Sequence, residues 1–336
     1  MAQRHIPVML DRIVELLSPA CDPRYTKRPI IIDGTLGLGG HSEALLQRIP
    51  NVCVIGLDRD PQALELASER LAPFGDRFLP IHTEYHRVAD VIGSIDHPFC
   101  EQIRQVGVNG ALYDLGVSSM QLDDVERGFS YSRNAPLDMR MDTTTGITAA
   151  DVLNTYDVKD LAHVLRTYGD EKFATKIARA IVHEREKTPF VESHQLVELL
   201  YRVIPAAARR TGGHPAKRTF QALRVEVNHE LDSLKAALPA VLDLLAVGGR
   251  AVFMAYQSHE DKLVKHEFAK ACTSRTPVDL PIELPGSQAS YALVTRRAEK
   301  ADETEINRNP RSASVRVRAI ERLESCLLYT SPSPRD

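Results

Sequence analysis

The stretch Pro29-Ile30-Ile31-Ile32-Asp33-Gly34-Thr35-Leu36-Gly37-Leu38-Gly39-Gly40-His41-Ser42 decides the fold. A short apolar run that stops on an acid reads as a buried strand. The glycines after it permit a tight turn and a close backbone approach, and an apolar-periodic helix follows from about His41 to Arg48. A helix that begins in this way presents unpaired N–H groups to a polar or anionic ligand. The loop reads G-x-G-G-H-S, with Ser42 where a dinucleotide fingerprint has its third glycine, and this weakens a pyrophosphate reading.

The same grammar repeats outward from that loop. Val52–Asp58 (VCVIGLD) is a second strand ending on an acid, and Pro61–Leu71 is a helix with proline in its first turn. Phe78–His82 is a third strand, and Val108–Asp114 (VNGALYD) a fourth that again stops at an acid. Strands alternating with helices predict an α/β fold, a parallel sheet with helices on both faces. Its ligand crevice lies at the carboxyl ends of the strands. From about Gly146 to Ala208 the pattern turns wholly helical. A long helix over Phe220–Leu245 follows, then the strand Arg250–Tyr256 and an edge or closing strand over Ala289–Thr295. The predicted organisation is a core of 1–140 and 217–298 interrupted by a helical insertion at 141–216, then a basic, peripheral C-terminal arm at 299–324. The last residues, 325–336 (SCLLYTSPSPRD), change composition abruptly and read as a non-native tail.

Composition bounds the function. Among 336 residues, 43% are hydrophobic and 26% charged, as in ordinary globular chains. The formal net charge of −3 excludes a surface that is basic throughout, though not a local basic face. Five widely spaced cysteines without a C-x-x-C pair argue against a zinc ribbon or a disulfide framework. The opening residues MAQRHIPVML carry no apolar core of a signal peptide, and no run approaches membrane-spanning length. The expectation is a reduced, cytoplasmic protein with no membrane partner. Its oligomeric state stays open, a dimer being one form the sequence allows. His82, His86, His229 and His259 read as surface or capping residues, and no metal is expected.

Asp58 is placed to accept hydrogen bonds from both hydroxyls of a ribose. Two nucleoside cofactors compete for this loop: S-adenosylmethionine in a methyltransferase and NAD in a dehydrogenase. Asp33, four residues before Gly37, favours the first, since an acid can hold an ammonium or a nearby loop, whereas a pyrophosphate gains nothing from it. Asp114-Leu115-Gly116-Val117-Ser118-Ser119, with Gln121 soon after, adds an acid and small polar groups at the same edge. An aromatic amine is a poor nucleophile because its lone pair is delocalised. Accepting a hydrogen bond from its N–H helps the nitrogen pyramidalise toward a methyl sulfonium, and the rest of the catalysis is positioning. Asp114 is therefore a candidate catalytic residue, and equally a candidate cofactor or loop contact.

These segments, Asp33–Ser42 (DGTLGLGGHS), Gly56–Ala63 (GLDRDPQA), Tyr113–Tyr131 (YDLGVSSMQLDDVERGFSY), Ala135–Asp142 (APLDMRMD), His214–Asn228 (HPAKRTFQALRVEVN) and Asn309–Ala319 (NPRSASVRVRA), together resemble the bacterial 16S rRNA (cytosine-N(4))-methyltransferase family (RsmH/MraW). The resemblance runs from His5 to about Leu323. It implies a class I S-adenosylmethionine-dependent methyltransferase, a Rossmann-like sheet with an inserted all-helical domain, acting on the exocyclic amine of a cytidine in the decoding region of 16S rRNA. By match of motif it implies Gly39, Gly40 and His41 as the cofactor loop and Asp58 as the ribose holder. Tyr85, where the family has phenylalanine, would flank the adenine, and Asp114 and Gln121 complete the cofactor contacts. Ala255–Asp261 (AYQSHED) resembles a family stretch that often reads F-H-S-L-E-D, so no role resting on a histidine at 257 carries over.

RNA chemistry has its own signal. Residues 162–218 hold 11 Lys/Arg against 6 Asp/Glu, and Arg209–Arg218 (RRTGGHPAKR) is the densest basic segment, suited to phosphate contacts. Arg308, Arg311, Arg316 and Arg318 add basic charge near the C-terminus. An exocyclic amine can be reached only on a base that is unpaired or turned out of its stack. The expected partner is 16S rRNA, free or in the small ribosomal subunit. The alternatives are an NAD-dependent oxidoreductase and a non-catalytic RNA-binding ribosome-assembly protein.

Overall fold

The computed structural model describes residues 6–24, 26–209, 214–274, 276 and 287–323. The tail 325–336, Arg210–Gly213 of the basic segment and most of the stretch between Thr276 and Gln288 lie outside the described residues. The chain forms two compact units. The first comprises the described parts of Met1–Asp58, Leu64–Leu115 and Leu234–Asp336, and the second Arg59–Ala63 with Gly116–Ser233.

The first unit is built on a seven-stranded sheet of order β3-β2-β1-β4-β5-β7-β6. Its strands are β1 (Ile30–Asp33), β2 (Cys53–Asp58), β3 (Phe78–His82), β4 (Val108–Asp114), β5 (Leu245–Ala255), β6 (Tyr291–Leu293) and β7 (Arg316–Arg322). Strands β1 to β5 pair in parallel, and β7 runs antiparallel between β5 and β6. Parallel strands are covered on both faces and so read as continuous apolar runs. Ile30, Ile31 and Ile32 are all buried, feeding two clusters. Ile30 and Ile32 pack with Phe99, Val241 and Phe268, and Ile31 with Leu17, Leu45 and Leu71. The order reverses between β1 and β4, so Asp33 and Asp114 end adjacent strands at the topological switch point, where such sheets bind their ligands.

Two expectations need correction. The region expected to be a peripheral arm supplies β7, an interior strand: Val317, Ala319 and Ile320 are fully buried. Its charged face is neutralised locally, Arg318 Nε lying 2.7 Å and Arg316 Nη1 3.0 Å from the Asp261 carboxylate. Arg250 likewise pairs with Glu321 at 2.7 Å. The single helix expected over Phe220–Leu245 is two helices, Lys217–Asn228 and Glu230–Leu244. His229 adopts a left-handed φ of 50° and ends the first. Buried Asn228 anchors that end, its amide donating to the Met139 carbonyl and its oxygen accepting from Met141 N, both at 2.7 Å.

The second unit is helical. It is wider than residues 141–216: Phe129 and Leu137 before that range and Phe220 and Val227 after it share one apolar cluster with Leu165 and Ile177. Among the described residues no helix is long and apolar enough to cross a membrane.

Candidate functional site

Asp33 builds the glycine loop from beneath. One carboxylate oxygen accepts from Ser42 Oγ at 2.6 Å and the other from Thr35 N at 3.3 Å. Of the two uses open to this acid, an ammonium partner or a loop anchor, the geometry displays the anchor. Burial pushes its carboxyl above the usual range, against the opposing effects of the Ser42 hydrogen bond and nearby His41. Gly39, at φ 72°, starts the helix Gly40–Arg48 with no side-chain cap. Its conformation is one that glycine adopts without strain, and an added Cβ would press against Ala67 and Leu71. Gly37 N donates to Asp58 Oδ2 at 2.7 Å, which ties the loop to the end of β2.

Asp114 closes β4 on the other side of the switch point. Its backbone N–H donates to Thr35 Oγ1 at 2.6 Å, locking strand end to loop. Tyr256, just past β5, donates its phenol to Asp114 Oδ1 at 2.8 Å. The β4–β5 register explains the meeting, because Asp114 lies opposite Met254 and the chain leaves β5 beside it. Burial, then the Asp114 charge, push the Tyr256 phenol well above its ordinary value, so it stays a donor. His41 donates from Nε2 to the Val8 carbonyl at 3.0 Å, and its Nδ1 stands 3.8 Å from Asp114 Oδ2. Sequence reasoning does not single out Tyr256. Its only signal there is its place at the carboxyl end of a strand.

Tyr85 sits in a short turn after β3, half-buried, its ring edge-on to Tyr113 at 5.6 Å. Tyr113 stacks on Phe253 at 4.7 Å, and a Cβ at Gly34 would run into the Tyr113 ring. The first unit thus brings together Gly39, Gly40, His41, Asp58, Asp114 and Tyr85. Gln121 belongs to the second unit. There its amide donates to Asp60 Oδ2 at 2.9 Å, and Arg127 donates to the same oxygen at 2.7 Å. Its carbonyl oxygen accepts from Ser118 N, and together with the Ser118 hydroxyl it makes a capping box.

The carboxylates of Asp58 and Asp114, at two strand ends beside an uncapped helix start, make a site that tolerates positive charge and offers acceptors for a diol. A diphosphate would meet Asp58 and Asp114 with like charge. S-adenosyl-L-methionine, with its sulfonium, ammonium and ribose hydroxyls, fits this donor set. The sheet order and the glycine-loop edge define the class: a Rossmann-like, class I methyltransferase fold that uses S-adenosyl-L-methionine. The chain belongs to the MraW methylase family, whose pattern matches residues 2–323.

The ribosomal RNA small subunit methyltransferase H of Corynebacterium aurimucosum is 56% identical over 331 residues, covering 98% of this chain and 95% of that protein. The enzyme of the same name from Nocardia farcinica is 60% identical over 322 residues, 96% and 97% of the two chains. A solved rRNA methylase from Streptococcus thermophilus overlaps 96% of this chain and 99% of its own with a TM-score of 0.39 and 13% identity, too distant to add to the assignment. Family membership leaves the oxidoreductase and the non-catalytic assembly factor without support.

Proposed function

We propose that this protein transfers the methyl group of S-adenosyl-L-methionine to the N(4) amine of a cytidine in the 16S rRNA of the small ribosomal subunit, in the cytoplasm. The observation that carries the reaction is Asp114, held by the Tyr256 phenol at the end of β4, next to the glycine loop. Gly39 and Gly40 give the cofactor a close backbone approach, Asp58 takes the ribose, and Tyr85 offers an aromatic surface for the adenine. When bound, the cofactor supplies an electrophilic methyl group on a sulfonium. Asp114 accepts a hydrogen bond from the cytidine amine, orients its lone pair for in-line attack and takes the proton the methylated nitrogen must lose, the sulfonium leaving as a neutral thioether. The Tyr256 phenol and the Asp114 backbone bond to Thr35 fix the carboxylate, so little reorganisation is left for the reaction itself. The stretch 162–218 of the helical unit, with its surplus of basic residues, takes the RNA backbone.

The test uses small ribosomal subunits that lack their native methylation, incubated with the protein and labelled S-adenosyl-L-methionine. Digestion and mass analysis of the nucleosides should reveal N(4)-methylcytidine at one position. Transfer to another base would keep the cofactor and discard the cytidine. No transfer to naked or assembled rRNA, with S-adenosylhomocysteine still bound, would discard this substrate.

A further inference from the structure

The second unit carries an aromatic cluster whose inner rings belong to its core, but whose outer ring, Tyr201, neither that core nor the methyl-transfer site employs. The Tyr131 and His214 rings stack at 4.6 Å and 21°, and Tyr131 leans edge-on against buried Phe220 at 5.7 Å. Tyr201 stands on the outer side of this stack, 5.8 Å from His214 and 83° to it, with its hydroxyl 3.4 Å from His214 Nε2. The Arg209 guanidinium lies over the Tyr201 ring at 5.4 Å. Yet Tyr201 is 41% exposed. Tyr131, itself backed by Phe220, already stacks on His214, so packing does not require a large aromatic ring at 201. Exposed Lys217 and Arg218 follow on the same segment, within the stretch 162–218 that carries five more basic than acidic residues.

We propose that Tyr201, backed by His214 and Arg209, is a stacking platform for an unpaired base of the RNA substrate other than the cytidine that is methylated. The proposal rests on the rRNA reading given above and adds to it a place where the strand is gripped. Aromatic rings and guanidinium planes receive splayed bases, and neighbouring cations take the adjoining phosphates; this pairing of chemistries marks single-stranded nucleic acid rather than an acidic protein surface. The planes are held by one another before RNA arrives, so little side-chain freedom is lost on binding.

The experiment measures binding of a fluorescein-labelled 16S rRNA fragment that contains the target cytidine to the full chain. Tyr201→Ala should weaken binding about ten-fold, the loss expected for one stacked base, while Tyr201→Phe keeps it. Affinity for S-adenosylhomocysteine should be the same in all three proteins. A 5-bromouridine-substituted fragment irradiated with the wild-type protein should crosslink at Tyr201 or His214, a readout that a purely structural ring would not give. Unchanged RNA affinity in a folded Tyr201→Ala protein overturns the platform, as do crosslinks found only elsewhere. So does a defect confined to assembled subunits, which would make the partner a ribosomal protein. If Tyr201→Ala does not fold, Arg209→Gln and the wild-type crosslink decide the matter. A wild-type protein that methylates no cytidine yet loses RNA affinity through Tyr201→Ala would sink the reaction reading and leave the platform standing. Normal methylation with the crosslink absent would do the reverse.

Discussion

In the sheet unit, Asp33, Asp58 and Asp114 each close a buried strand. In the helical unit, Asp60, Gln121 and Arg127 come from three separate segments and meet on a single carboxylate oxygen. The first set is placed by the sheet: once the strands pair in register, their last residues must gather at one edge. The second set is placed by loops and helix ends, and its members hold one another. Strand-end acids of the first kind remain positioned when one is neutralised. Removing a member of the second kind takes away the support of the others.

Asp60→Ala should therefore give the largest loss. Asp60 is 1% exposed and Arg127 8%, and the variant leaves a buried guanidinium whose remaining acceptors are the Met141 and Arg140 carbonyls, neither of them charged. Breaking a buried pair from one side costs about 3–5 kcal/mol. Urea unfolding should show this loss, with Asp60→Asn retaining part of the stability. A loss under about 1 kcal/mol would mean that the network is not what holds these segments, and the contrast between the units would fail.

Asp114→Asn probes the other side of the contrast. The fold should remain, with an unchanged melting temperature, because the backbone bond to Thr35 persists. Single-turnover methylation should slow about 100-fold, the lower end of what a positioned proton acceptor contributes, and by more than S-adenosylhomocysteine affinity falls in calorimetry. Equal losses in rate and affinity would reduce Asp114 to a binding residue.

The two kinds of placement explain which parts of the molecule are legible in its sequence. Strands β1 to β4 are legible because buried parallel strands are apolar runs and their terminal acids stand out, and the glycine loop lies between two of them. The Asp60–Gln121–Arg127 network has no comparable signal, since its members have no common period. Strand β7 (RVRAIER) is hidden for a different reason. Its alternation of Arg316 and Arg318 with Val317 and Ala319 is the period-2 signature of a strand, but its charge makes it read as a solvated arm. What neutralises that charge, Asp261, lies far away in the sequence. The break at His229 is hidden because both flanking segments have helical periodicity, and a left-handed residue other than glycine leaves no mark in composition.

The Asp261 pairs test that account of β7. Burial raises the Asp261 carboxyl, but hydrogen bonds and charge from Arg318 and Arg316 outweigh it and hold the group below its ordinary value. A lowered acid stabilises the fold above its unfolded pKa of about 4, and that stability is lost as pH falls through the lower folded value. Asp261→Asn should thus cost about 2 kcal/mol at pH 7, less than a fully buried pair because Arg316 is partly exposed. The gap between wild type and variant in urea unfolding should close below about pH 4. A gap independent of pH would assign the loss to packing instead of charge.

Tyr256→Phe carries the smallest effect and the finest discrimination. The substitution removes one hydrogen bond to Asp114 and keeps the ring, and a neutral donor facing a carboxylate is worth about 1–2 kcal/mol. If the bond serves only the fold, that loss appears in stability and the methylation rate is untouched. If it holds Asp114 for reaction, the rate constant at saturating cofactor should fall about 5-fold while S-adenosylhomocysteine affinity stays the same. The pH dependence should separate the cases further. A carboxylate deprived of its donor is less stabilised in charged form, so the acidic limb of the rate profile should move to higher pH in the variant. An unmoved limb with a lower rate would make Tyr256 a spacer behind Asp114, and strand-end placement alone would then account for the carboxylate's geometry.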